Sequence, residues 1–262
     1  MIASVLLLLI GLSDVVRAGP SRFPAWALAA VVWFGVGGLA VWGLGLPPFA
    51  VAACVALTAG WMLALPVEDS SRPRLLWPVL ALVAVVSALT AFDPTTADGF
   101  LLDTYANIAN DAIGAVSPET ALAAIAVAVF LTRSGNIVVR AALGRSHGDA
   151  VPRAPIPWEL RIRGRLLGTV DRPSPTQPGP ATSLRGGRFI GPSERLLILG
   201  LAAVGAETLI AGLLAAKGVV RFPEISEDRA SGSKAEEFLV GSLTSWALSA
   251  AAVLYLFVVN NG

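Results

Sequence analysis

An all-α, polytopic transmembrane helix bundle is the fold class that this sequence predicts, and three observations predict it. The 262 residues are 55% hydrophobic and only 14% charged, with a mean hydropathy of +0.71, whereas a soluble domain carries nearer a quarter of its residues as charges. Apolar runs close to the roughly 20 residues that cross a hydrocarbon core recur along the chain. The short alternating segments of a membrane β-barrel do not occur in series.

The first run, Ile2 to Val16, has a small-residue step at Val16-Arg17-Ala18 that imitates a cleavage site. It lacks the basic leading region of a signal peptide and is read as a retained first span. It is also the shortest span and carries Asp14 near its end; if it lay in the interface instead, seven crossings would become six. The other six runs fall at Pro24 to Leu44, Pro48 to Leu65, Leu75 to Phe92, Thr120 to Leu143, Arg195 to Ala216 and Ala235 to Val259. Pro24, Pro48 and Pro118 stand near helix starts, where a missing N–H costs little. Three units follow: residues 1–143 with the first helices and an external amphipathic segment near 93–118, a Pro/Arg-rich cytoplasmic loop at 144–193, and a C-terminal transmembrane hairpin at 194–262.

Orientation follows from the basic residues, all arginine except Lys217 and Lys234, a bias that fits a GC-rich bacterial genome. Nine arginines lie between Arg140 and Arg188 against Asp149, Glu159 and Asp171, so this connector belongs in the cytoplasm. The segment Asp93 to Glu119 has five acids and no Lys or Arg and belongs outside. Arg17, Arg22, Arg72 and Arg74 agree if the N-terminus is outside and the C-terminus cytoplasmic in a bacterial plasma membrane. The last connector, Lys217 to Glu237, would then be external.

Seven prolines between Pro152 and Pro180 exclude a long helix across the cytoplasmic connector. Within it Trp158 to Arg163 alternates apolar and polar residues, the period of a strand, and a short hairpin on the headgroups is expected. Arg161, Arg163 and Arg165 there can face anionic lipid or a partner; a positive loop that only sets topology is the plainer reading. On the outer side, Phe100 to Val116 places Phe100, Leu101, Thr104, Ile108 and Ile113 on one helical side. Asp103, Asn107, Asn110 and Asp111 offer oxygen ligands, but their spacing matches no calcium loop.

Glu207 is the group most in need of a reason, because a carboxylate midway along an apolar span costs roughly 3 kcal/mol or more. Arg133 lies at a matching depth on the preceding span, and an interhelical Arg133 to Glu207 ion pair is expected. Gly200, Ala203, Glu207 and Ala211 follow three- and four-residue steps, as do Gly241, Ser245 and Ser249 on the last span, so these two small-residue stripes are expected to pack together. The alternative is a proton or solute path lined by Glu207, Thr208, Thr244, Ser245 and Arg133.

Absent chemistry narrows the choice. Cys54 and His147 are the only cysteine and histidine, which excludes a disulfide, a cysteine or histidine metal centre, a haem pair and a catalytic triad within the chain. There is no phosphate-binding Gly-rich loop. No catalytic residues, metal or cofactor are therefore assigned, and no nucleic-acid partner.

Three segments stand in a telling order: Ser134 to Arg140 (SGNIVVR), Gly187 to Arg195 (GRFIGPSER), and Ala215 to Glu224 (AAKGVVRFPE) followed by Ala235 to Leu243 (AEEFLVGSL). Together they resemble the C-terminal part of a bacterial multi-pass membrane family catalogued as domain of unknown function 3307, and related actinobacterial membrane proteins. The resemblance covers roughly the last half of the chain, implies a membrane protein and supplies no reaction. Members carry His and Asp in the first span, and this chain has no His there. The matched residues themselves read as helix ends: Ser193 capping the sixth span with Glu194 in its first turn, Lys217 at its far end, and Arg221, Glu224, Glu236 and Glu237 as a charged cluster on the outer hairpin.

The expected function is a non-catalytic accessory or scaffold subunit that packs against another membrane protein or itself within the lipid bilayer. The alternative is a small-solute or proton-coupled transporter using Glu207, with a carboxylate-dependent membrane enzyme third.

Overall fold

The structure, a computed structural model, describes residues 1–19, 23–65, 76–92, 98–108, 116–146, 158–162, 165–170, 187–227 and 233–261. The proline-rich part of the connector, Arg163, Asn110, Asp111 and Ile113 lie outside the described residues. Nine helices and one two-stranded hairpin make up the described elements: α1 Ile2–Arg17, α2 Ala25–Gly38 running on through a widened π-turn Leu39–Gly43, α3 Pro48–Ala64, α4 Trp77–Ala91, α5 Phe100–Ile108, α6 Pro118–Ser146, β1 Trp158–Ile162, β2 Arg165–Val170, α7 Gly187–Ala203, α8 Glu207–Glu227 and α9 Ser233–Asn261. The stretch that alternates in sequence supplies β1, which pairs antiparallel with β2 from Trp158 opposite Val170 to Ile162 opposite Arg165.

Among the described residues, three helical stretches are long and apolar enough to cross a membrane: Ala25–Gly43, Pro118–Gly144 and Ala235–Asn261. The apolar α3 and α4 are shorter. The outer surface is greasy, with Phe34 83%, Phe92 81% and Phe49 79% exposed, a condition that water penalises and lipid does not.

At the centre lies α1, the segment whose short length and Asp14 made it the least secure span in the sequence. It packs against α6, α3, α2 and α4. Its Leu6, Leu9 and Ile10 are almost wholly buried, and so is Asp14. α1 is the buried centre around which α2, α3, α4 and α6 assemble, while α7 and α9 pack on α6.

Directions follow from the contacts. Gly11 faces Val129 and Phe130, and Asp14 bonds Ser134, so α1 and α6 run parallel. Thr120 bonds Asn260 near one end of α6, while Gly241 faces Val139 and Leu143 near the other, so α9 runs antiparallel to α6. Ser4 and Tyr255 share a 2.7 Å hydrogen bond, which puts residue 1 and residue 261 at the same end of the bundle.

The reason is a turn within the run expected to form the sixth span. α7 ends at Ala203, the chain reverses over Val204, Gly205 and Ala206, and α8 returns until Lys217 meets Glu194, twenty-three positions earlier. Gly205 has φ +68°, the left-handed conformation that glycine adopts without steric cost. Ala206 N–H then bonds Leu201 O at 2.8 Å and closes the last turn of α7. Arg195 to Ala216 is thus a helical hairpin and not one helix. The returning helix α8 carries Lys217 and Arg221 back to the end where α6 finishes and α9 begins.

Candidate functional site

Two buried polar centres hold the bundle together. In the first, the carboxylate of Asp14 on α1 accepts from Ser134 Oγ on α6 at 2.6 Å and from Trp61 Nε1 on α3 at 3.1 Å. Arg17 stands 2.6 Å away as its counter-ion. The same guanidinium donates to Met62 O at 3.1 Å and Leu65 O at 2.8 Å, satisfying carbonyls at the C-terminal end of α3 that no helical N–H can reach. Beside it Trp33 Nε1 donates to Ser13 Oγ at 3.0 Å. Apart from lipid-like packing, helices in a bilayer are held by such bonds, because apolar surface gains little from leaving lipid for protein. This centre is charge-balanced and closed.

The second centre is built around Arg195, only 1% exposed. Its Nε donates to Leu131 O at 2.9 Å, Nη2 to Asn136 Oδ1 at 2.6 Å and to Thr132 O at 3.5 Å, and Nη1 to Ser245 Oγ at 3.3 Å. Every one of these acceptors is neutral. The guanidinium lies against Gly135, where a Cβ would come within 2.8 Å of Nε. Sequence and site meet here: a glycine one turn after Leu131 lets α6 accept a side chain edge-on to its backbone.

Next to Arg195, Glu194 is committed elsewhere. Its Oε2 pairs with Lys217 Nζ at 2.5 Å and its Oε1 accepts from Trp246 Nε1 at 2.9 Å, while Lys217 also sits 5.7 Å from the centre of the Trp246 ring. Between α6, α7, α8 and α9 opens a cavity of about 530 Å³, whose walls include Asn136, Arg195, Lys217, Arg221, Glu237 and Ser242. Except for Leu143 and Ser245, each lining residue comes from one of the three segments that carry the family resemblance. The arrangement supplies clustered N–H and O–H donors and net positive charge. Among the described residues, no three His, Cys, Asp or Glu side chains are grouped to hold a metal.

Several sequence-based assignments are corrected by these positions. Arg133 and Glu207 do not pair: Glu207 opens α8 at the exposed hairpin turn, where its charge suits the helix N-terminus, and the buried Nε of Arg133 has no hydrogen-bond partner among the described residues. Gly200 and Ala203 end α7 before the turn and Ala211 lies after it, so the stripe through Glu207 is not one face; Gly200 has open space where a Cβ would stand. Gly241 faces α6 through Val139 and Leu143, and Ser245 serves Arg195. Ser249, buried, bonds its own helix at Ser245 O at 3.1 Å. The two stripes therefore do not zip together. Ser193 is not a cap but lies within α7, donating to Phe189 O at 2.8 Å. Arg161 and Arg165 belong to the hairpin strands β1 and β2.

Asp14 with Arg17 and Arg195 with Asn136 were missed in sequence. For the first, the signal was present: opposite charges three positions apart, enclosed by apolar residues, announce a pair that a bundle can bury. For Arg195 the only hint was its position beside Glu194 before a long apolar run, which reads equally as a helix end.

The fold and site thus define a helical membrane-type bundle with a polar, donor-rich cavity at one end. No family model, no curated protein and no solved structure matches the chain.

Proposed function

We propose that this protein is a multi-pass membrane protein acting as a non-catalytic accessory or scaffold subunit, with the α7–α8 hairpin as the face that meets another membrane protein or a second copy. The carrying observation is α8 itself. It packs chiefly on α7 and more lightly on α9, leaving Leu209, Val219, Val220 and Phe222 more than 60% exposed, with open space above Gly212 and Gly218. Small residues beside large apolar ones on an uncovered helix suit close helix–helix approach in lipid.

In this reading the arginine-rich end of the bundle is cytoplasmic, residues 1 and 261 both face outward, and α1, α2, α3, α4, α6 and α9 make six crossings. The α7–α8 hairpin enters from the cytoplasmic side and returns to it. In the same reading the positive charge of Arg161, Arg163 and Arg165 serves anionic lipid or a partner, and kinship of the second half with domain of unknown function 3307 belongs to the same proposal. A carrier dependent on Glu207 is the weaker alternative, because that carboxylate stands at an exposed turn and not in the middle of a span.

Single-cysteine crosslinking in native membranes tests the reading. With the buried Cys54 replaced by Ser, Val220→Cys treated with a bismaleimide is expected to give a discrete higher-mass adduct. Leu63→Cys, on the exposed side of α3, is expected to give none. Absence of any Val220 adduct would refute the scaffold role of the hairpin.

A further inference from the structure

We infer that the cavity between α6, α7, α8 and α9 is a binding site for a phosphate group, presented by an anionic phospholipid headgroup or by a soluble phosphate compound. This goes beyond the scaffold reading and does not depend on it.

The first ground is an unbalanced buried charge. Among the described residues, Arg195 has only neutral hydrogen-bond acceptors, two backbone carbonyls, an amide and a hydroxyl. A guanidinium withdrawn from solvent without a counter-ion is costly, and proteins retain such a group where an anion completes it. At the Asp14 centre the counter-ion is bonded directly to its arginine, whereas Glu194 beside Arg195 acts on it only through space, its oxygens being taken by Lys217 and the Trp246 N–H.

The second ground is the composition of the walls. Lys217 and Arg221, one helical turn apart on α8, line the same space as Arg195. Two carboxylates line the space beside these three cations, Glu194 and Glu237, and Arg221 also takes part in an interaction of its own. Glu194 is already occupied by Lys217 and the Trp246 N–H, and Glu237 is exposed. Asn136, Ser242 and Ser245 add short polar side chains suited to phosphate oxygens.

The third ground is place. The lining runs from Leu143 and Glu237, close to the ends of α6 and α9, inward to Arg195 and Ser245. Eight residues of helix separate Glu237 from Ser245, about 12 Å along the axis, so the cavity reaches from the helix ends into the bundle. A basic pocket between helices at the arginine-rich end has the geometry by which membrane proteins hold phosphate headgroups.

The test uses the full chain, stripped of lipid in an uncharged detergent, with binding followed by native mass spectrometry and thermal shift. Phosphatidylglycerol, phosphatidylcholine and inorganic phosphate are titrated separately. The wild type is expected to retain one phosphatidylglycerol per chain in preference to phosphatidylcholine, or to bind inorganic phosphate that competes with it; the first result assigns a lipid source and the second a soluble one. Lys217→Gln with Arg221→Gln should weaken binding on the order of 30-fold, while Glu207→Gln, at the exposed hairpin turn away from the cavity, should leave it within about twofold. Because the first double variant also frees Glu194, Glu237→Gln provides an independent arm: removing a rim carboxylate should tighten binding about fivefold. The inference is overturned if neither probe binds the wild type, or if both the α8 double variant and Glu237→Gln bind as the wild type does.

Discussion

The two polar centres make opposite uses of a buried arginine. Arg17 is withdrawn from solvent beside Asp14, and its remaining donors cap α3, so the α1–α3–α6 junction is neutral and self-contained. Arg195 is equally withdrawn, yet its hydrogen bonds go to neutral acceptors alone and it lines a cavity. Within one chain, a complete ion pair marks the place where helices are locked together, and an incomplete one marks the place where the bundle is open to something else. Depth of burial does not separate the two; the identity of the acceptors does.

The largest test of that contrast is Asp14→Ala. It strands Arg17 and removes the acceptor of Ser134 and Trp61 together, and is expected to cost about 3–5 kcal/mol, seen as a lower unfolding temperature in detergent. Replacing both partners, Asp14→Leu with Arg17→Met, should cost less than the single change, because no lone charge remains buried. If the double variant is the worse of the two, the junction is not held as a pair.

Arg195→Met comes next. The loss of bonds to neutral acceptors is offset by relief of an unpaired charge, so about 1–2 kcal/mol is expected. A loss as large as that of Asp14→Ala would mean that Arg195 is a structural lock like Arg17, and would erase the distinction. The smallest effect belongs to Glu207→Gln, at the exposed start of α8: a change within about 0.5 kcal/mol is expected by the same thermal measurement. A larger loss would show that Glu207 has a buried partner after all.

Much of the fold was legible in sequence because apolar length and arginine distribution are local quantities. The runs that became α2, α3, α4, α6 and α9 were found near their final limits, and the alternation at Trp158 marked the strand β1. The candidate site was far less legible. Asp14 looked like a defect in a weak span because its acceptor role depends on Trp61 and Ser134, which lie 47 and 120 positions away. Glu207 looked buried because the residues on either side of it are apolar; a mid-run position was mistaken for a mid-membrane one. The segments carrying the resemblance, read separately as helix ends, line a single cavity only once α7, α8 and α9 are packed on α6.

By itself, then, the sequence determined that this chain forms apolar helices, where most of them lie, and which connector is most basic, since each follows from the chemistry of neighbouring residues. Tertiary structure alone decided that the run from Arg195 to Ala216 reverses direction, because Val204, Gly205 and Ala206 are as apolar as a helix requires and only the positive φ at Gly205 breaks it. From that one reversal follow the shared end of residues 1 and 261, the exposure of Glu207, and the meeting of Lys217 with Glu194 at the mouth of a cavity. Hydropathy records how a segment partitions between water and lipid; it carries no information about the direction in which the backbone leaves a turn.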